Sequence, residues 1–86
     1  DCTNIRNTAK ELEIPERDLI EFLLSKHYLY RDQEHKLMPY AEFTKRGYFV
    51  LKDYYRPNGI QSQYTLFTAK GKNHFRKLLA KQKRGE

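Results

Sequence analysis

Apolar residues fall along this chain with two different periods, and the switches between them mark its elements. The stretch from Thr8 to Ser25 carries the helical period twice. Ile5, Ala9 and Leu12 follow at i, i+4 and i+7, one face of a helix. Thr8 with Glu11 three residues on has the spacing of a capping box. Ile14-Pro15 breaks the pattern, because the residue before a proline is driven out of the helical region while proline suits the first turn of a new helix. The period resumes at Leu19, Ile20, Leu23 and Leu24. Helix, short corner, helix is the layout of a helix-turn-helix unit, whose second helix can enter the major groove of DNA.

Beyond Lys26 the pattern turns to strands. His27 to Arg31 has the aromatic content of a short strand, Asp32 to Lys36 reads as a turn, and Leu37-Met38-Pro39 as a returning edge strand. This small hairpin is expected to bury Leu29, Leu37 and Met38. Tyr40 to Arg46 predicts a turn or two of helix with Tyr40 and Phe43 facing the core, stopped by Gly47. Gly47 to Arg56 is the strongest strand signal, with Tyr48, Phe49, Val50 and Leu51 as a core-like run. Pro57-Asn58-Gly59 makes a turn in which proline presets one backbone angle and Asn-Gly tolerates a positive one. Gln63 to Thr68 returns, giving a hairpin of about ten residues a side. Thr68 is an N-cap candidate for a last helix from Ala69 to about Gln82, with Phe75, Leu78, Leu79 and Gln82 on one face and fraying expected over residues 83–86. Taken together the expected fold is α+β, a small winged-helix-like single domain over residues 1–86, with a helix-turn-helix, a short hairpin, a long hairpin as the wing and a C-terminal helix.

Composition sharpens this. An 86-residue chain is one small domain able to bury a modest core. Its seven tyrosines and five phenylalanines must do much of the packing. The single cysteine, Cys2, leaves no intrachain disulfide framework and suits a reducing cytoplasm. No apolar run is long enough for a membrane span, and no signal-peptide pattern is present in these residues. The chain opens on Asp1 rather than Met, as expected of a piece excised from a longer protein. The net charge of +6 is unevenly spread. Residues 1–34 hold five Lys and Arg against eight Asp and Glu, a net of −3; residues 35–86 hold twelve against three, a net of +9. A basic half beside an acidic half points to a polyanionic partner or a complementary acidic surface.

Three pieces of the chain carry a family likeness. They are Thr8 to Ile14 followed by Leu19 to Leu24; Leu37-Met38-Pro39-Tyr40 leading through Phe43 to Gly47-Tyr48-Phe49; and Thr68-Ala69-Lys70-Gly71, with alanine where the family places proline. In this order and spacing the chain resembles the KilA-C domain, the C-terminal domain of phage antirepressor proteins. The resemblance implies a phage protein acting in the cytoplasm of the bacterial host to relieve repression of lytic genes, with DNA binding ascribed to the domain and another domain preceding it.

Two roles are open. As a DNA-binding module, Arg17 would reach base edges from the second helix, while Arg56, Asn58, Gln61 and Gln63 form the wing. Lys45, Arg46, Lys70, Lys72, Arg76 and Lys77 would neutralise phosphates of double-stranded DNA. The second helix opens on Glu16, Arg17 and Asp18, so the phosphate grip must come from elsewhere. As a protein-interaction module, the domain would present Glu13, Glu16, Asp18 and Glu21 to a basic surface of a phage repressor, or form a homo-oligomer through the full-length protein. Catalysis is not expected. His27, His35 and His74 lack cysteine or acid partners at zinc spacing, no nucleophile motif is present, no glycine-rich loop suits a nucleotide, and no cofactor is implied.

Overall fold

The computed structural model describes residues 1–83. Four helices and two antiparallel hairpins make an α+β fold in the order α1 (Ile5–Leu12), α2 (Glu16–Ser25), β1 (Leu29–Arg31), β2 (Leu37–Pro39), α3 (Ala41–Lys45), β3 (Phe49–Tyr55), β4 (Gln61–Phe67) and α4 (Ala69–Lys83). The fraying expected past Lys83 concerns residues outside those described.

The first helix starts earlier than the capping-box spacing suggests. Asn4 caps it, its side chain accepting the Asn7 amide at 2.8 Å. Thr8 lies inside the helix and fully buried, its hydroxyl bonded to Asn4 C=O and to Thr3 Oγ1 at 2.7 Å each. Pro15 precedes α2 as its N-cap rather than opening its first turn. The corner before it is made by Glu13, left-handed at φ 61, whose amide and that of Ile14 bond back to Lys10 and Ala9 carbonyls. His27 (φ 64) closes α2 in the same way, its amide reaching Leu24 C=O and that of Tyr28 reaching Leu23 C=O. Gly47 (φ 85) closes α3 with the equivalent pair, to Thr44 and Phe43. All three are 6→1 and 5→2 closures that satisfy orphan carbonyls at a helix end.

One core holds these pieces together. Ala9, Leu19, Phe22, Leu23, Leu29, Phe49, Phe67 and Phe75 are buried, with Ile5, Leu12, Ile14, Leu37, Leu78 and Leu79 packed around them. Phe75 of α4 is its hub. Its ring lies 4.9 Å from Tyr28, 5.5 Å from Phe49, 5.9 Å from Tyr48 and 6.0 Å from Phe67, mostly edge to face, the arrangement aromatic quadrupoles favour.

The long hairpin is rooted in this core and then leaves it. Phe49 pairs with Phe67 at the root, and seven pairs run out to Tyr55 opposite Gln61. Above the root, Val50 and Leu51 are each 40% exposed and Tyr55 is 73% exposed. The core-like run expected there reduces to Phe49, with Tyr48 half-buried against the core, because a two-stranded ribbon past its root has no layer on either face. The hairpin closes at Arg56–Gly59, with Gly59 N–H donating to Arg56 C=O at 2.8 Å and Gly59 alone taking the positive φ, 87°. The ribbon stretches the molecule to 48 × 24 × 23 Å. The outer edge of β4 is flanked by Thr3, which exchanges two backbone bonds with Phe67, and by β2, where Thr65 Oγ1 donates to Leu37 C=O at 2.8 Å. The outer edge of β3 has no partner strand among the described residues. Lys52 and Asp53 sit mid-strand there, charges of the kind that discourage edge-to-edge pairing. In the small hairpin Leu29 and Pro39 are buried, while Leu37 and Met38 are only half-buried. Tyr40 faces outward against Tyr30 instead of the core (ring centroids 4.9 Å apart).

Candidate nucleic-acid interface

Helix α2 buries Leu19, Phe22 and Leu23 and turns Glu16, Arg17, Asp18 and Glu21 to solvent. Three acids and one arginine make this outer face negative. Acids in the first turn suit the positive end of the helix dipole, but a phosphate backbone would be repelled there. None of the four forms an ion pair among the described residues. Arg17, the expected base reader, is thus an isolated cation on an acidic helix.

The wing residues are largely committed within the protein. Arg56 is half-buried and forms an ion pair with Glu34, and its Nη2 also donates to Ser62 Oγ at 3.2 Å. Lys36 Nζ donates to the same Ser62 oxygen at 2.6 Å and to Gln63 C=O at 3.1 Å. This knot ties the loop of the small hairpin to the side of the ribbon. The Arg56 guanidinium holds the Glu34 carboxyl below its usual range, and the Lys36 amide, with a smaller contribution from that of Glu34, does the same for Asp32. Asn58 uses its Oδ1 to accept the Ile60 amide at 3.0 Å, an Asx contact that sets the turn. Gln63 donates across the ribbon to Asp53 at 2.9 Å. Among the described residues, Gln61 alone of the expected wing side chains has no bonded partner, and it is exposed.

Lys72 is not a surface cation. It is 8% exposed, its Nζ 3.1 Å from Glu11 Oε1 and 3.3 Å from Asp1 C=O. The pair pins α4 to α1 and uses Glu11 as a counter-ion, not as the capping partner of Thr8. A phosphate role for Lys72 is therefore set aside, since its charge is neutralised inside the fold.

Several of the other cations gather on one side of α4. At 100° per residue, with Phe75 pointing inward, Lys70, His74, Lys77 and Lys81 fall at i, i+4, i+7 and i+11 along one outward flank. Over eleven residues this stripe is about 16 Å long. Arg76 lies on the opposite flank, beside a groove it shares with Leu12, Ile14, Asp18 and Phe22. The stripe faces the end of α3 and the α2–β1 link. Tyr48 stacks on His74 at 4.3 Å, and Lys70 Nζ lies 5.8 Å from the centre of the Tyr48 ring. Arg46 lies over Phe43, 5.6 Å from the ring centre, and is paired with Glu42 at 3.3 Å on the surface. Lys45 is exposed in the last turn of α3. Lys26 and Lys81 line a common groove with Phe22, Tyr28 and Leu78. Of the eleven expected DNA contacts, Arg46, Lys70 and Lys77 come together on this side, with Lys45 exposed next to Arg46 in the chain. Lys26, His74 and Lys81 join them, and reading the polar positions of α4 by the same period as its apolar ones would have found the last two. No acid lies on the described length of α4.

Burial pushes the Tyr28 hydroxyl up, with the Tyr48 hydroxyl adding to it. Burial, then the charges of Arg46 and Lys77, push the His74 imidazole down. No helix among the described residues is long and apolar enough to cross a membrane. A family model, the phage antirepressor protein KilAC domain, matches residues 1–82. The chain belongs to this family. No curated protein and no solved structure matches it.

The residues that carry the KilAC likeness build the base of the basic face. Thr68 caps α4, its hydroxyl accepting the Gly71 amide at 2.9 Å and donating to Gly47 C=O at 2.5 Å. Gly71 packs so closely that a Cβ there would lie 2.1 Å from the Tyr48 carbonyl oxygen. The KilAC motif pieces around Gly47-Tyr48 and Thr68-Gly71 are thus one corner, where α4 docks on the root of the ribbon. That corner fixes which flank of α4 faces solvent.

Proposed function

We propose that this KilAC domain binds double-stranded DNA through its phosphate backbone, with the flank of α4 carrying Lys70, His74, Lys77 and Lys81 as the contact face and Lys26, Lys45 and Arg46 at its margins. The observation that carries this reading is the unopposed basic stripe beside a helix, α2, whose own outer face is acidic. Lysines are point charges that grip phosphate without reading sequence. The domain therefore acts as a backbone grip rather than a base reader, and by binding rather than catalysis. In a phage antirepressor working in the host cytoplasm, such a grip would hold the protein on DNA, with the choice of phage control regions coming from elsewhere, while lytic genes are released from repression.

The test is a titration of the chain onto a fluorescent random duplex and onto a phage-operator duplex at several salt concentrations. About four neutralised phosphates give a slope of log affinity against log salt near about −3.6, equal for both duplexes. A flat salt response, or no binding at low salt, would overturn the reading.

A second reading rests on a separate observation, the unpaired Glu16, Asp18 and Glu21 on α2. They offer a basic repressor surface a complementary face. In that case reversing these acids, and not the lysines, removes binding to the repressor.

A further inference from the structure

His74 sits in the middle of the α4 stripe but differs from its lysine neighbours in being half-buried and fixed. Its ring is stacked on Tyr48 at 4.3 Å and 14° and stands edge-on to Tyr28. Its Nε2 is 3.1 Å from the Tyr28 hydroxyl. The other ring nitrogen, Nδ1, has no hydrogen-bond partner among the described residues, yet no buried side-chain nitrogen or oxygen there lacks one. Nδ1 therefore opens to solvent, on the flank shared with Lys77, Leu78, Ala80 and Lys81. An imidazole clamped through one nitrogen, with the other free between lysines, is preorganised to donate a hydrogen bond when protonated.

Resting on the DNA-binding reading above, we infer that His74 is a phosphate contact that takes up a proton as DNA binds, donating from Nδ1 to a phosphate oxygen held between Lys70 and Lys77. The balance starts from the ring with its proton on Nε2, donating to the Tyr28 hydroxyl oxygen: one proton moves from solvent to Nδ1, Nε2–H keeps its bond to Tyr28, and Nδ1–H meets the phosphate. The groups around His74 set the direction. Lys70, Lys77 and Lys81 share its flank of α4, Arg46 approaches from α3, Tyr48 covers one ring face and Tyr28 holds Nε2. Glu42, the nearby acid, is already paired with Arg46. In the free domain burial, then the charges of Arg46 and Lys77, disfavour the charged ring. A bound phosphate offsets Arg46 and Lys77 and favours the charged ring.

By linkage, affinity for DNA then rises as pH falls, by at most tenfold per pH unit for one proton. The experiment measures binding of the whole chain to a random duplex from about pH 8 to about pH 6, for the wild type and for His74→Gln, at one low salt concentration. The expected result is an affinity gain of about three- to tenfold across that range for the wild type and a flat profile for the variant. His27 and His35 are present in both proteins and cancel in the comparison. The ring signals of His74 in the wild type, followed by NMR with and without duplex, give a second readout that needs no folded variant. Their midpoint is expected to move up when DNA is bound. Equal pH profiles, or an unmoved His74 midpoint with DNA bound, would overturn the proton uptake while leaving the salt-dependent grip intact. Absence of duplex binding at any pH would instead remove the DNA reading and this inference with it.

Discussion

Replacing Lys70, Lys77 and Lys81 together by glutamate is expected to weaken binding to a random duplex by about a hundredfold or more at low salt and to flatten its salt dependence. In the proposed grip each substitution removes one phosphate contact and adds a repulsive charge. The fold should survive. All three side chains are exposed; Lys77 and Lys81 lie away from caps, where surface changes usually stay within about 0.5 kcal/mol, and at Lys70 a glutamate in the first turn suits the helix dipole while giving up the contact over Tyr48. The comparison with Arg17→Glu is informative. Arg17 stands among Glu16, Asp18 and Glu21 on the outer face of α2, where a major-groove reader would have to approach phosphates against three negative charges. Its reversal is expected to change affinity by no more than about twofold, because it lies outside the grip and each lost phosphate contact matters only where one is made. Electrophoretic shift or anisotropy titrations of the two variants beside the wild type measure both effects. Similar losses for the two would mean that α2 and α4 both face DNA.

The largest expected loss of stability comes from Phe75→Ala. Phe75 has no exposed surface and meets five aromatic rings: Tyr28, Tyr48, Phe49, Phe67 and His74. Truncating a buried phenylalanine costs about 3–5 kcal/mol through lost transfer energy and the cavity left behind. A domain of this size has only about 4–13 kcal/mol in total. The melting temperature is expected to fall by about 15 °C or more, measured by circular dichroism or calorimetry. Tyr55→Ser, at the exposed end of the ribbon, should leave it nearly unchanged. A small shift for Phe75→Ala would mean that the helices and the ribbon root do not share one core.

What the sequence made legible follows from where side chains report their own surroundings. The helices α2 and α4, the two hairpins, the Thr68 cap and the Gly47 stop were all readable, because apolar period and turn chemistry act locally. Gly47 was visible as a helix end, while the equivalent ends at Glu13 and His27 were not. These residues adopt a left-handed backbone that glycine advertises and glutamate or histidine does not. Thr8 read as a cap because its spacing to Glu11 fits one; Asn4, further upstream, won the helix start, and Glu11 went to Lys72 instead. Val50 and Leu51 read as core because strand composition does not say whether anything covers the strand.

The candidate site was legible in kind but not in place. The charge asymmetry pointed to a polyanion, and Lys45, Arg46, Lys70 and Lys77 were among the residues named for it. Lys72 and Arg56 looked the same in sequence as those four. Only tertiary contacts reveal that Lys72 is held by Glu11, and that Arg56 is held by Glu34 and Ser62. Conversely, His74 and Lys81 were left out because the basic positions of α4 were not sorted by helical period. The helix-turn-helix layout drew attention to Arg17, while the acids around it argued for a grip elsewhere.

The central claim is that DNA meets this domain on the α4 flank rather than on α2. Amide chemical-shift mapping of the isotopically labelled chain during addition of unlabelled duplex addresses it most directly. Shifts confined to Lys70, His74, Lys77, Lys81 and the neighbouring Lys26 and Arg46 are the expected result. Shifts centred on Glu16, Arg17 and the ribbon tip near Gln61, with the α4 flank silent, would contradict it.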